Sequence, residues 1–576
     1  MRLLNRIYLV YGHHWITMKN LLTTKLNVSL TNITSCLTQL CKFRINISMT
    51  TFLLLYSFYF GFVFNIPISA RLIDITEHTN SWLFVYTAPV VLSCAFFIIF
   101  SLFAIPYFAK PFFIFVLVSS AIASYATLKY GVLFDYSMVE NVIETNTSEM
   151  SSYINLSSIS YLFFIGVIPA VLIALIRFNT QETLLKRILK RLMLIISATL
   201  IILLILGFFY KDYASVGRNN AYLNKMIVPA HIFNSVKYIK KEVFTEKFTY
   251  KTQGTDATQL LASNGKPTLM VLIVGETARS MNIGYNGYSR NTNPYTEDMG
   301  IISFKDVSSC GTSTAHSLPC MFSNLNRSNY DKNRANSQDD VLDVLKYAGV
   351  NVLWKDNDGG DKGVAKRLTK ISIDASQYRD VCDNSVCYDE IMLKSFDDEV
   401  EELKGNKLIA MHIIGSHGPT YWKRYPQQKE LFTPSCNQSD IENCSDDEIV
   451  NTYDNTLAYT DYVIAETIKK LQSYANDYNV ALMYMSDHGE SLGENGLYLH
   501  GTPYSFAPIE QTQVPLFMWI PQQYADAKGI NKNCLIEKAQ AGTFSHDNLF
   551  HTLLGFYGVE SSVINQDLDI TASCRL

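Results

Sequence analysis

The first 210 residues carry five long apolar runs, whereas the rest of the chain alternates short apolar runs with polar and charged stretches. The long runs cover residues 51–70, 82–108, 112–128, 159–176 and 192–210. A helix needs roughly 20 apolar residues to cross a bilayer. Buried helices of a soluble protein can imitate one or two such runs, but not five in succession. The pattern therefore predicts a membrane domain of five spans.

Beyond residue 262 the pattern changes to short apolar runs at residues 269–274, 350–354, 408–414, 480–485 and 516–520. Helical patterns such as 340–347 and 455–474 lie between them. Continuous apolar strands that alternate with helices are typical of a mainly parallel sheet with helices on both faces. We therefore expect an α-helical transmembrane domain followed by an α/β domain.

The composition divides the chain into an N-terminal extension (1–48), a transmembrane domain (49–210), a connector (211–262) and the α/β domain (263–576). The extension is polar and lacks the apolar core of a cleavable signal peptide. Within the connector, residues 222–248 mix apolar side chains with lysines, which favours a segment lying along the membrane surface. A pair of packed helices broken at Pro229 is the alternative.

Basic residues in the short loops predict the orientation of the membrane domain. The loop between the fourth and fifth runs holds Arg177, Lys186, Arg187, Lys190 and Arg191. The loop at residues 130–158 has no Lys or Arg, but carries four acidic residues. Because cytoplasmic loops are rich in Lys and Arg, we expect a cytoplasmic N-terminus and an exported α/β domain. The net charge of -4 gives no general signal for nucleic acid binding.

The cysteines agree with export, since eight of the eleven lie in the half predicted to be outside. Six of the eight fall into close pairs: Cys310 and Cys320, Cys382 and Cys387, and Cys436 and Cys444. In an oxidising compartment such pairs indicate disulfides. The pairing of Cys534 with Cys574 stays open. Zinc binding by thiolates is the alternative, but most of the spacings are too wide for it.

Polar residues follow the predicted strands at the points where they end. Glu276 follows the first, His417 the third, and Asp487 with His488 the fourth, while His500 comes shortly after. The carboxyl ends of parallel strands meet at one edge of a sheet, where chemistry gathers. Carboxylate and imidazole ligands without a thiolate suit a catalytic zinc that keeps an open position.

Each of these residues also has an ordinary interpretation. Glu276 and Asp487 can stabilise helix starts, and His417 and His500 can be common loop histidines. Their coincidence at one edge of the sheet favours a functional site. His412 lies inside an apolar run, and we expect it to be a satisfied core residue.

The segment from Cys310 to Cys320 brackets a run of small hydroxyl residues that includes Thr314. A stapled loop followed by a helix, here predicted at residues 321–325, can hold one hydroxyl in place. Backbone N–H groups at the helix start then face incoming negative charge. We predict that Thr314 is a nucleophile, an ordinary Ser/Thr loop being the alternative.

Five sequence motifs carry a resemblance to a known family. They are Gly275-Glu276-Thr277-Ala278-Arg279, Cys310-Gly311-Thr312-Ser313-Thr314-Ala315, Ser317-Leu318-Pro319-Cys320-Met321-Phe322-Ser323, Gly415-Ser416-His417-Gly418-Pro419 and Ser486-Asp487-His488-Gly489-Glu490-Ser491. From residue 51 onward the chain resembles the lipid A phosphoethanolamine transferases, which include the mobile colistin resistance enzymes. The resemblance implies an alkaline phosphatase/sulfatase-like α/β domain behind five membrane helices.

The resemblance also assigns site residues. It implies that the catalytic zinc is bound by Glu276, Thr314, Asp487 and His488. It implies that substrate or a second zinc is bound by His417 and His500, that substrate contacts Lys362, and that the ethanolamine headgroup meets Asn141, Thr145 and Glu149. One departure is Asp358-Gly359-Gly360, where relatives often carry Asn and Ser.

These assignments predict a zinc-dependent enzyme that moves phosphoethanolamine from phosphatidylethanolamine to a lipid A phosphate through a threonine-bound intermediate. We expect a monomer in the inner membrane of a Gram-negative bacterium, with its catalytic domain in the periplasm and polymyxin resistance as the outcome. One alternative is transfer of phosphoethanolamine or glycerophosphate to another envelope glycan, such as core oligosaccharide. A sulfatase or phosphatase, or a non-catalytic sensor on the same fold, are the others.

Overall fold

The computed structural model describes residues 44–76, 82–145, 147–179, 183–244, 248–373, 375–383 and 386–576. The predicted N-terminal extension therefore lies outside the described residues up to residue 43. The chain forms two compact units, one made of residues up to Ile122 with Leu162–Val216, the other of Ala123–Tyr161 with Gly217–Leu576. The acidic loop between the third and fourth apolar runs belongs to the second unit.

Four helices are long and apolar enough to cross a membrane: Leu83–Leu102, Ala109–Tyr130, Leu156–Leu175 and Leu184–Phe208. A fifth candidate, Met49–Phe64 with Ile66–Thr76, is bent by 48°. The bend follows a π-helical turn at Phe60–Phe64, where the side-chain amide of Asn65 donates to the carbonyl of Phe60 over 2.9 Å. A π-turn is a known cause of sharp kinks. The described chain thus has four spans, or five if the bent pair is one.

The remaining helices of the two units are short, apart from one. Helix Tyr210–Asn219 begins in the first unit and ends in the second. The second contains Tyr136–Glu144, Thr147–Ser152, Leu223–Met226, Ala230–Phe244, Thr314–Met321, Lys332–Ala335, Val341–Tyr347, Phe396–Glu402, Asp446–Ser473, Ile509–Thr512, Gln522–Lys528, Lys532–Ala541 and Asp547–Tyr557. Helix Ala230–Phe244 of the connector packs against Tyr136–Glu144, where the Asn234 amide donates to the carbonyl of Phe134 over 2.7 Å.

A seven-stranded sheet forms the centre of the second unit. In chain order its strands are β1 (Thr268–Gly275), β2 (Ile302–Phe304), β3 (Asn351–Asp356), β4 (Thr369–Ser372), β5 (Lys407–His412), β6 (Asn479–Ser486) and β7 (Leu516–Trp519). Their spatial order is β2-β7-β6-β1-β5-β3-β4. Strand β7 runs antiparallel to both of its neighbours, and the other strands are parallel. The sheet is therefore mixed, with a parallel centre.

Both faces of this sheet are buried, which explains the continuous apolar strands. In β1, Met270, Leu272 and Val274 pack on one face with helices Val341–Tyr347 and Asp547–Tyr557. The alternate residues of β1 pack on the other face with helix Asp446–Ser473. Helices on both sides leave the strand ends as the exposed polar edge, where loops can build a site.

Four cysteine pairs of the second unit form disulfides: Cys310–Cys320, Cys382–Cys387, Cys436–Cys444 and Cys534–Cys574. The three predicted pairings are confirmed. The fourth pair, which the sequence left open, joins helix Lys532–Ala541 to the C-terminus.

The predicted position of the helix after this loop, residues 321–325, was wrong. The helix begins at Thr314 and ends at Met321, with Ser313 as its N-cap in extended backbone. Pro319 lies inside this helix. Proline removes one backbone donor and disfavours a long helix, and this helix ends two residues after it. The consequence is that Thr314 stands on the first residue of a helix rather than in a loop.

Candidate active site

Two neighbouring parallel strands deliver the acidic and imidazole groups of the site. Glu276 directly follows β1, and Asp487 and His488 directly follow β6, with Ser486 aligned to Gly275. Gly415 lies against Glu276 with a positive φ of 47°. A Cβ atom there would come within 2.7 Å of the Glu276 carbonyl oxygen, so only glycine fits this close approach.

The Thr314 hydroxyl lies inside this group of side chains. It donates a hydrogen bond of 2.8 Å to Oε2 of Glu276 and lies 3.4 Å from Nε2 of His488. Nε2 of His488 is 3.5 Å from Oε1 of Glu276 and 3.4 Å from Oδ2 of Asp487. The structure thus brings together all four residues for which the resemblance implied zinc binding.

Hydrogen bonds fix the orientation of these groups. Nδ1 of His488 lies 2.9 Å from the carbonyl oxygen of Gly489, which holds that nitrogen as a donor and leaves Nε2 with a lone pair. Oδ1 of Asp487 accepts the backbone N–H groups of Thr277 and His488. Among the described residues, Oε1 of Glu276 and Oδ2 of Asp487 are buried without a hydrogen-bond partner.

These unpartnered atoms test whether the residues fit a metal. Burial first, and then the Asp487 and Asp358 carboxylates, raise the pKa of Glu276 well above its ordinary value. Buried carboxylates are stable when they are paired or coordinate a cation. Two free carboxylate oxygens, one oriented imidazole and one hydroxyl make a donor set that suits zinc. The group Glu276, Asp487 and His488 can hold such an ion.

A polar cavity opens beside Thr314, with about 280 Å³ of empty space that is partly open to solvent. Its lining consists of Asn141, Glu144, Thr145, Glu149, Thr314, Asp358, Lys362, His417 and His500. Every residue for which the resemblance implied substrate contact lies in this lining. Glu144 and Asp358 were not predicted. Lys332 of the α/β domain pairs with Glu144 at 2.5 Å and with Glu140 at 3.1 Å. These ion pairs join the helix that carries Asn141 to that domain.

His500 and His417 stand in different surroundings within the cavity. Nδ1 of His500 lies 2.9 Å from Oε2 of Glu490, whose other oxygen accepts the Tyr421 hydroxyl at 2.7 Å. Burial lowers the pKa of His500, but the Glu490 carboxylate outweighs it, and the net shift is upward. Burial, and then Arg424 and His500, lower the pKa of His417 well below its ordinary value.

Comparisons with known proteins match the whole architecture. A sulfatase family model matches residues 268–559, and the model of the phosphoethanolamine transferases EptA/EptB matches residues 92–243. Phosphoethanolamine transferase EptA of Escherichia coli K12 is 37% identical over 536 residues, covering 92% of this chain and 98% of that protein. The chain belongs to the phosphoethanolamine transferase family.

Two further relatives of this phosphoethanolamine transferase family carry names that describe their chemistry. Phosphatidylethanolamine transferase Mcr-1 of Escherichia coli is 37% identical over 510 residues, covering 85% of this chain and 91% of that protein. The structure of the integral membrane lipooligosaccharide phosphoethanolamine transferase A from Neisseria meningitidis matches with a TM-score of 0.87 and 36% identity, covering 92% of this chain and 99% of that one.

The protein has a second group of possible metal-binding side chains, which the sequence analysis did not find. His412 was expected to be a satisfied core residue, and it is buried with its Nδ1 paired, at 3.1 Å from Oδ2 of Asp356. Its Nε2 has no hydrogen-bond partner in the described part of the chain and lies 3.5 Å from Oδ2 of Asp358. The pairing of β5 with β3, which aligns His412 with Asp356, was the signal that could have indicated this contact.

Proposed function

We propose that this protein transfers phosphoethanolamine from phosphatidylethanolamine to a phosphate of lipid A, with Thr314 as the nucleophile. The observation that carries the proposal is the Thr314 hydroxyl, 2.8 Å from Glu276 and 3.4 Å from His488 in the wall of a polar cavity. The relatives named for phosphatidylethanolamine and for lipooligosaccharide support the donor and the acceptor.

In the first step, the oxygen of Thr314 forms a bond to the phosphorus of phosphatidylethanolamine, and the bond from phosphorus to the glycerol oxygen breaks. Diacylglycerol leaves as an alcohol, so one proton passes from the Thr314 hydroxyl to the glycerol oxygen. His417 and His500 line the cavity and are placed to carry that proton and to donate to phosphoryl oxygens. A phosphoethanolamine–threonine intermediate remains.

In the second step, a phosphate oxygen of lipid A forms a bond to the same phosphorus, and the bond to the Thr314 oxygen breaks. The acceptor phosphate gives up one proton, which restores the threonine hydroxyl. The enzyme returns to its starting state, so the sequence is a ping-pong exchange.

Zinc fits the donors Glu276, Thr314, Asp487 and His488, and when bound it would supply positive charge that lowers the pKa of the hydroxyl and offsets charge on the phosphoryl group. The protein's own contribution is orientation. Gly489 fixes the tautomer of His488, and the backbone N–H groups of Thr277 and His488 fix Asp487.

The headgroup of the donor is recognised by the helical loop between helices Ala109–Tyr130 and Leu156–Leu175. Glu149 lies 3.6 Å from Nε2 of His417 and lines the cavity with Asn141 and Thr145. A carboxylate at this position pairs with the primary ammonium of ethanolamine. Lys362, on the same cavity lining, pairs with phosphoryl oxygens.

We place the enzyme in the inner membrane of a Gram-negative bacterium with the α/β domain in the periplasm. The disulfides, together with the basic loop between the fourth and fifth apolar runs, support this placement. Added amines reduce the negative charge of the outer surface, so cationic peptides such as polymyxins are attracted less strongly.

The test is to express the intact protein and its Thr314→Ala variant and to weigh the extracted lipid A. We expect lipid A to gain the mass of one phosphoethanolamine with the intact protein and nothing with the variant. Thr543→Ala removes the hydroxyl of an exposed strand residue and is the matched control, with full modification expected. Unmodified lipid A with modified core oligosaccharide would move the acceptor to the glycan, and no modified product at all would refute the proposal.

A further inference from the structure

A second cluster of donors lies against the first and shares one residue with it. One ligand atom each from Glu276, Asp358 and His412 lies within 4.8 Å of the others. Strand β5 ends at His412, and Asp358 comes two residues after the end of the adjacent β3. The cluster therefore lies at the same edge of the sheet as the primary site, on the side toward β3.

His412 is held as metal-binding histidines are held. Its Nδ1 lies 3.1 Å from Oδ2 of Asp356. Asp356 is itself fixed, because it accepts the Trp354 indole N–H at 3.1 Å and the backbone N–H groups of Asp358 and Gly360 at 3.1 and 2.8 Å. A carboxylate that accepts Nδ1–H fixes the ring and leaves Nε2 as the ligand atom. That atom is fully buried and unpartnered among the described residues.

The distance between His412 and Asp358 fits two ligands of one ion. Nε2 of His412 and Oδ2 of Asp358 are 3.5 Å apart. Ligand bonds of about 2.0–2.1 Å in a tetrahedron place neighbouring ligand atoms roughly 3.3 Å apart. The corresponding distances around Nε2 of His488 in the primary site are 3.4 to 3.5 Å. Glu276, whose Oε1 is unpartnered, belongs to both groups.

We propose that Glu276, Asp358 and His412 bind a second divalent cation, with the Glu276 carboxylate shared between the two ions. Two carboxylates and one imidazole suit Zn²⁺ or Mn²⁺. Asp358 also lines the cavity, so the second ion would bring positive charge to the wall that faces the transferring phosphoryl group.

This inference rests on the proposed function only in assuming that the primary donors hold an ion. It is tested by stripping the full-length protein in detergent with a chelator, adding Zn²⁺ or Mn²⁺, and measuring bound metal per chain by mass spectrometry. We expect two ions in the wild type and one in Asp358→Asn and in His412→Gln. Asp356→Asn should weaken the second ion by roughly 10–100-fold, the usual effect of losing an outer partner.

His551→Gln is the matched control, because His551 is a buried histidine on helix Asp547–Tyr557 and outside the cluster. It should keep two ions. If a variant does not fold, as judged by its melting temperature, anomalous diffraction from metal-loaded wild-type crystals decides, with a second peak expected beside His412. Saturation of the wild type at one ion, or two ions retained in a folded Asp358→Asn, would overturn the proposal.

Transfer to lipid A is measured separately. If the protein binds two ions, one of them dependent on Asp358, but modifies no lipid A, the second metal site is confirmed and the proposed function is refuted.

Discussion

At the scale of single residues, hydrogen bonds orient the imidazole rings of the site. His488 uses Nδ1 on the Gly489 carbonyl, and His500 uses Nδ1 on Glu490. Each imidazole therefore keeps Nε2 free of the bond that orients its ring, and that of His488 lies beside Thr314. Fixed orientation of this kind removes the cost of aligning groups during the reaction.

The Glu490 carboxylate gives the first prediction. Glu490→Ala removes the acceptor that orients His500, and we expect kcat to fall by about 100-fold with little change in KM for phosphatidylethanolamine. Glu490→Gln keeps an oxygen for Nδ1–H and should retain more activity, and Tyr421→Phe should retain the most. Steady-state kinetics on purified protein decides this order. Wild-type kcat in Glu490→Ala would show that Glu490 has no positioning role, and Glu401→Gln, at an exposed residue outside the site, is the control.

Site residues could be predicted from the sequence where they belong to a recognisable motif. Glu276, Thr314, Asp487 and His488 follow strands or begin a helix, so their types and places were sufficient. Asp358, Glu490 and the free Nε2 of His412 were not found. Their roles depend on which strands are neighbours and on which ring nitrogen is already bonded, and neither is written in local sequence.

At the scale of elements, the helix Thr314–Met321 and its disulfide position the nucleophile. Cys310 lies before the loop and Cys320 on the last turn of the helix, so the bridge ties the loop to the helix it precedes. The Gly311 N–H also donates to the Ser317 hydroxyl at 2.9 Å, and Gly311 leaves no room for a Cβ atom beside His316. The segment is held at several points around Thr314.

The second prediction compares two disulfides of different loop length. Replacing both cysteines by alanine should cost about 2.5–3 kcal/mol for Cys310–Cys320, separated by 10 residues, and about 4 kcal/mol for Cys534–Cys574, separated by 40. The Cys310–Cys320 loss should also reduce kcat, whereas the Cys534–Cys574 loss should leave it unchanged. Unfolding free energy and kcat are measured for both. An unchanged kcat without Cys310–Cys320 would show that the bridge does not position Thr314.

The central elements were predictable and the marginal ones were not. Strands β1, β3, β5, β6 and β7 are continuous apolar runs because both sheet faces are covered. Strand β4 is largely exposed and β2 has only three residues, so neither produces an apolar run. The antiparallel direction of β7 is a property of the connection and not of its composition.

At the scale of the whole molecule, the chain combines apolar helices long enough to span a membrane with an α/β domain for which we propose lipid substrates. The proposed donor and acceptor are both membrane molecules, so anchoring raises their effective concentration at the enzyme. Long apolar runs predicted the helices well, because lipid demands apolar side chains along a whole span. The bend within Met49–Thr76 was not predicted, since it arises from a π-turn that the hydropathy pattern does not record.

Membrane orientation gives the third prediction. A reporter enzyme that is active only outside the cytoplasm should be active when fused after Leu576 and inactive when fused after Lys186, because the segment around Lys186, at the start of helix Leu184–Phe208, is strongly basic. Both fusions are assayed in intact cells at equal expression. Activity after Lys186 with none after Leu576 would reverse the topology and remove the α/β domain from the periplasm.

The central claim is that Thr314 carries the phosphoethanolamine group between two lipids. The direct measurement is the mass of the peptide containing Thr314 after the purified protein is mixed with phosphatidylethanolamine without acceptor. We predict a phosphoethanolamine adduct on Thr314 that disappears when lipid A is added. Transfer to lipid A that persists in Thr314→Ala, or an adduct on another residue, would contradict the account.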